Sequence, residues 1–172
     1  MDKWFYEQAL LGNVYNAGST GAVTLSTVSA TCTGLALSNA FGSGKLLVVK
    51  NVKFAPSTAP AGAAVVGLAV SPAVSSTAVT HTTPMVIHNA RTTGSNLNKG
   101  QGLVDSAATL PAAPVWFRPI SSVVAASSIT PARYIDEADG DIIVVPGTSI
   151  SLSYLTTAAI GIASVVWAEI DD

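Results

Sequence analysis

Residues 140–170 read GDIIVVPGTSISLSYLTTAAIGIASVVWAEI. Apolar runs alternate with turn residues. Residues 140–145 (GDIIVV) read as a strand, and Pro146-Gly147-Thr148 as the turn after it. In residues 149–156 (SISLSYLT), Ile150, Leu152 and Tyr154 or Leu155 alternate with serines, the period of a half-buried strand. Residues 157–161 form a turn of small residues, and residues 162–170 (IASVVWAEI) a closing strand. No amphipathic helix pattern lies between them, so the strands must pair with one another.

The same grammar runs upstream. Residues 22–33 (AVTLSTVSATCT) alternate loosely, and residues 33–38 (TGLALS) place Leu35 and Leu37 on one face. After Gly42-Ser43-Gly44, residues 45–55 (KLLVVKNVKFA) predict a long strand. Its apolar register slips by one at Lys50-Asn51, which predicts a β-bulge there. Residues 63–70 (AAVVGLAV) are continuously apolar, as in a strand buried on both faces. Residues 83–89 predict a strand, residues 91–104 an exposed loop, and residues 111–117 and 120–126 two short apolar pieces. Only residues 2–11 look helical. The expected organisation is an N-terminal arm or helix (1–18) ahead of one domain (19–172). Strands at this spacing indicate an antiparallel sandwich or barrel.

Composition narrows the function. Of 172 residues, 49% are apolar but only 6% aromatic, and 10% are charged, against ~25% in typical soluble domains. Such a chain covers itself with Ser and Thr or buries surface against other subunits. The net charge of −2 comes without a basic block, which argues against nucleic acid as a partner. Residues 55–90 and 142–168 carry no formal charge. Proline interrupts both, so neither predicts a membrane helix. No basic-then-apolar leader precedes them, so no signal peptide is expected. The single cysteine, Cys32, forbids an intrachain disulfide.

Few residues suggest chemistry. Gly44-Lys45 resembles the end of a phosphate loop, but Asn39 stands where the first glycine belongs and Leu46 where the Mg²⁺-binding hydroxyl belongs. The following segment is a strand, not the helix such a loop needs. Asp136, Glu137, Asp139 and Asp141 hold four of the ten acids. Their spacing fails the Ca²⁺ loop pattern, and a solvated Asp-Gly turn explains them. His81 and His88, with Cys32 far off, make a weak zinc set. No Gly-x-Ser-x-Gly elbow occurs, and nothing singles out one serine for a Ser–His–Asp triad. The expectation is therefore no enzyme, no cofactor and no metal. Trp4, Phe5 and Tyr6 are the one aromatic cluster. They read as an interface with a neighbouring subunit, or as an arm folded back on its own domain.

One resemblance is carried by TGLALSNAFGSGKLLVVKNVKFA, then APAGAAVVGLAV, then the closing VPGTSISLSYLTTAAIGIASVVWAEI. This order resembles structural proteins of tailed bacteriophages and environmental viruses. It covers roughly residues 20–70 and 140–172. The resemblance implies an all-β, antiparallel, jelly-roll-like β-sandwich in a virion. It implies a capsid decoration (cement) protein on the capsid exterior, assembled in the host cytoplasm. Its expected partners are the major capsid protein and itself, as a homotrimer. The alternative is a tail or head fibre or receptor-binding module that binds host glycans, with Arg91, Asn96, Asn98, Lys99 and Gln101 as its donors.

Overall fold

Strand-forming runs separated by Gly, Pro and Ser punctuation fold, among the described residues, as thirteen strands and one helix. A computed structural model describes residues 3–91, 100–123 and 134–172. Helix α1 (Lys3–Leu11) leads into β1 (Val14–Gly18), β2 (Val23–Thr24), β3 (Thr31–Asn39), β4 (Lys45–Pro56) and β5 (Ala64–Val70). Next come β6 (Thr80–Pro84), β7 (Ile87–Asn89), β8 (Gly102–Thr109) and β9 (Val115–Val123). The chain closes with β10 (Tyr134–Asp136), β11 (Ile142–Val144), β12 (Thr148–Leu155) and β13 (Ile160–Asp171).

The protein is an all-β sandwich of two antiparallel sheets. One has the order β10-β4-β13-β1-β7, with β11 also on β4 and β2 on β13; the other is β6-β8-β3-β12-β5-β9. The pairing is nested. β1 lies on β13, β3 on β12, β4 on β10 and β11, and β5 on β9. A long hairpin wrapped into two sheets in this way is the double Greek key of a jelly roll. Strands β6 to β8 are an insertion between β5 and β9. They extend one sheet beyond β3 and the other beyond β1.

Inward residues of both sheets form one core, with Trp167, Phe54, Leu35, Leu37, Leu68 and Leu152 essentially inaccessible to water. Trp167 stacks on Tyr15 at 5.8 Å between centroids. In β4, Leu47 and Val49 and then Val52 and Phe54 point inward. The slip between them is the expected bulge. Val166 faces Asn51 and Trp167 faces Val49, so Lys50 is the extra residue.

Several expectations need correction. Residues 14–18 are not part of an arm: β1 pairs with β13 and β7 inside a sheet, and only α1 stands outside. Residues 22–33 are not one strand. Leu25 turns into the core, its amide bonded to the Ala159 carbonyl, and pairing resumes at Thr31. Residues 83–89 divide at Met85-Val86 between β6 and β7, in opposite sheets. The pieces 111–117 and 120–126 join in β9, as far as the described residues run. Pro146-Gly147 is the expected turn, with the Thr148 amide bonded to the Val145 carbonyl, but β11 pairs in one sheet and β12 in the other, so it is a corner between sheets. As tryptophans of a charge-poor sandwich, Trp116 and Trp167 are both expected in the core; Trp167 is there, but Trp116 lies outside it. It is half-buried, opposite Ala69 on β5, and its ring covers Gly67 on the outer face.

Candidate functional site

Helix α1 docks by its inner side. Phe5 is 4% exposed and joins Val14, Val48 and Ala168 in a small cluster, with Trp4 packed beside it. The bulge at Lys50 contributes here, placing its ammonium 4.6 Å from the Phe5 ring centroid. Tyr6, Leu10 and Leu11 are left on the solvent side, 50%, 58% and 68% exposed. Tyr6 and Leu10 are one helical turn apart and share a face. The aromatic cluster thus divides: Phe5 and Trp4 hold the helix to its own sheet, and Tyr6 opens a short apolar strip.

The stretch that imitates a phosphate loop is a corner between sheets. Gly42 and Gly44 adopt φ of +76° and +68°, a region that glycine enters without strain. Asn39 closes the loop: its Nδ2 donates to the carbonyls of Lys45 (2.6 Å) and Val144 (2.9 Å), and its Oδ1 accepts from Ser43 Oγ (2.6 Å). Lys45 Nζ reaches Asp171 at 2.5 Å. That hydrogen bond raises the lysine pKa and lowers the aspartate's. The lysine already has an anionic partner within the chain.

Beside this corner lies a cleft of about 180 Å³, lined by Phe41, Val79, Leu103 and Pro111 and also by Ser76, Thr77 and His81. The β6–β8 insertion and the segment leading into it supply most of these groups. His81 on β6 places Nδ1 2.6 Å from Oδ2 of Asp105 on β8, whose side chain is 1% exposed. The other carboxylate oxygen, Oδ1, is buried without a partner among the described residues. Sequence reading missed this pair. The residues are 24 apart, and Asp105 sits inside an otherwise apolar and small-residue run.

The remaining candidates separate. His88 is on β7 in the other sheet, so it does not join His81. Cys32 is buried with Ala36 and Leu110, and burial raises its thiol pKa. The acidic turn is occupied from within. Arg118 makes a bidentate pair with Asp136 and reaches Asp141 at 2.8 Å, which raises the guanidinium pKa further. Lys50 pairs with Asp139 at 3.3 Å. Among the described residues, no three His, Cys, Asp or Glu side chains converge as metal ligands. No helix among them is long and apolar enough to cross a membrane. Of the donors expected in the 91–104 loop, Asn96, Asn98 and Lys99 lie outside the described residues. Gln101 donates its backbone N–H to Glu169 Oε2 at 2.8 Å.

Protein-family models, curated proteins and solved structures yield no match to this chain.

Proposed function

We propose that this chain is a structural protein of a bacteriophage virion: a decoration protein that binds the outer surface of the major capsid shell and stabilises it. The observation that carries the reading is the outward face of α1. Tyr6, Leu10 and Leu11 are exposed together on an element that Phe5 fixes to the sandwich. An apolar strip presented on a rigid support suits an interface anchor. The charge economy supports it. Glu7, Asp136, Asp139, Asp141 and Asp171 are in internal ion pairs, and Asp105 and Glu169 are buried. Among the described residues this leaves Glu137 and Asp172 as the acids outside such pairs and burial, little negative charge to keep neighbouring subunits apart. The jelly roll recurs in capsid and lectin domains, a supporting analogy only, because fold alone does not fix function.

In this reading the protein binds as a homotrimer on the capsid exterior, where closed three-fold symmetry satisfies every contact. It acts without catalysis, adding buried area across joints between capsid proteins, and many copies multiply a modest energy per site. The test is rebinding. Purified protein added to shells lacking it should co-sediment with them and raise their melting temperature. Failure to bind, or binding without any stabilisation, overturns the proposal.

A further inference from the structure

The cleft beside His81 has features that capsid decoration does not require. Its wall is largely apolar, and Phe41 stands 62% exposed at its edge. Phe41 packs with Val74 against the space that a side chain at Gly147 would fill. Most polar groups of the lining are bonded within the chain, Asn39 to the Lys45 and Val144 carbonyls among them. The hydroxyls of Ser76 and Thr77 make no hydrogen bond among the described residues, while Ser71 and Ser149 bond each other at 2.9 Å and Thr148 Oγ1 donates to the Val145 carbonyl at 2.8 Å. With Nδ1 of His81 fixed on Asp105, Nε2 is the ring nitrogen left for a ligand. The buried carboxylate sets the ring's orientation, as second-layer carboxylates do for functional histidines. No lysine, arginine, aspartate or glutamate lines the cleft among the described residues.

These features specify a ligand class. Without a lysine or arginine in the wall, a phosphate or carboxylate finds no fixed countercharge there. Pockets for drug-sized ligands occupy ~300–1,000 Å³. This cleft is smaller, so a single ring fits better than an extended molecule. An exposed aromatic ring in the same cleft as hydroxyl and imidazole groups matches a ligand ring with an apolar C–H face and hydroxyls around its rim. We infer that the cleft beside His81 binds one neutral pyranose sugar unit, stacked on Phe41 and hydrogen-bonded by His81, Ser76 and Thr77. The site belongs to the β6–β8 insertion and the corner loops, on a different part of the molecule from the Tyr6–Leu10 face. It holds whether or not the protein decorates a capsid. If it does, display in many copies turns weak single-site binding into useful adhesion.

The test is a ¹H–¹⁵N correlation titration of the intact protein with D-glucose, D-galactose, D-mannose and N-acetyl-D-glucosamine, each to high millimolar concentration. At least one sugar should give saturable shifts at the amides of Phe41, Thr77 and His81. Phe41→Ala should weaken that binding by up to about tenfold, the scale of one ring-stacking contact. His81→Ala should abolish it. Ser76→Ala, at an exposed position that leaves folding intact, provides a third readout and should weaken binding. The inference is overturned if no sugar gives saturable shifts at these amides, or if well-folded Phe41→Ala and Ser76→Ala proteins bind as tightly as the parent. Capsid co-sedimentation is scored separately, so failure of one proposal is distinguishable from failure of the other.

Discussion

Trp167 Nε1 donates to Glu169 Oε1 at 3.1 Å, deep in the sandwich and two residues along the same strand. The same oxygen accepts the Gly102 amide at 2.9 Å, and Oε2 accepts the Gln101 amide at 2.8 Å. One carboxylate, 6% exposed, thereby ties the last strand to the start of β8. The site is tight: a Cβ at Gly102 would lie 2.9 Å from the indole nitrogen.

Removing that carboxylate leaves the buried N–H donors of Trp167 and Gly102 without their acceptor, and the amide of exposed Gln101 to water. Each unsatisfied donor costs ~1–3 kcal/mol. Glu169→Ala should therefore lower unfolding stability by about 3 kcal/mol or more. Glu169→Gln keeps one acceptor oxygen but turns an NH₂ toward a donor, so it should fall between the parent and the alanine variant. Urea unfolding followed by tryptophan fluorescence measures both. A midpoint for Glu169→Ala equal to the parent's would refute the tie.

Gly67 tests the outer face of the second sheet. A Cβ there would sit 2.4 Å from the Arg118 carbonyl oxygen and 2.7 Å from the Trp116 ring. Overpacking of this kind typically costs ~1–3 kcal/mol. Gly67→Ala should lose stability in that range. Because the nearer obstacle is backbone, adding Trp116→Ala should not restore it. Full recovery in the double variant would show that the indole, not β9 itself, sets the limit.

Much of the frame was legible because its residues obey one rule each. The slip at Lys50-Asn51 located the bulge, and Leu35, Leu37, Val52 and Phe54 announced their faces by period alone. The serines of β12 obeyed the rule yet misled. Ser149, Ser151 and Ser153 alternate with the core residues, as solvent-facing residues do, but each is 2% exposed or less. Their neighbours across the sheet, among them Ala36, Gly67 and Ala69, are also small. Short side chains let the segments carrying Ser71, Val79, Leu110 and Trp116 lie over this face. Periodicity reports which way a residue points, not what covers it. The His81–Asp105 pair was invisible for a related reason. It depends on β6 pairing with β8, and nothing in either segment's own pattern specifies that neighbour.

Alkaline pH should destabilise the fold. Burial raises the pKa of the Cys32 thiol, and burial followed by the nearby Glu169 charge raises that of the Tyr15 phenol. In the unfolded chain these groups lose their protons near pH ~8.5 and ~10; in the folded chain they hold them to higher pH. The unfolded state thus binds fewer protons across this window, and stability falls as pH rises. Lys45, raised by Asp171, acts in the same direction. Urea midpoints should decline from about pH 8.5 upward, and Cys32→Ala should flatten the earliest part of the decline. The buried thiol should also resist alkylation until the protein unfolds. A midpoint that is constant or rising across the window contradicts this account.

The two faces of α1 make opposite predictions. Phe5 is buried against Val14, Val48 and Ala168, so Phe5→Ala should act on the fold. Core phenylalanine truncations cost ~3–5 kcal/mol; in this small satellite cluster the loss should be about 3 kcal/mol. The Lys50 ammonium over the Phe5 ring goes with it. Tyr6 and Leu10 face solvent, where substitutions usually change stability by no more than ~0.5 kcal/mol. If the strip is the capsid dock, the double variant Tyr6→Ser, Leu10→Ser should fold like the parent yet co-sediment with shells at least about tenfold more weakly, as loss of an interface anchor does. Differential scanning calorimetry of the free protein and shell co-sedimentation measure the two effects separately. A double variant that binds shells as tightly as the parent removes the strip from the interface and assigns the N-terminal aromatic cluster to folding alone.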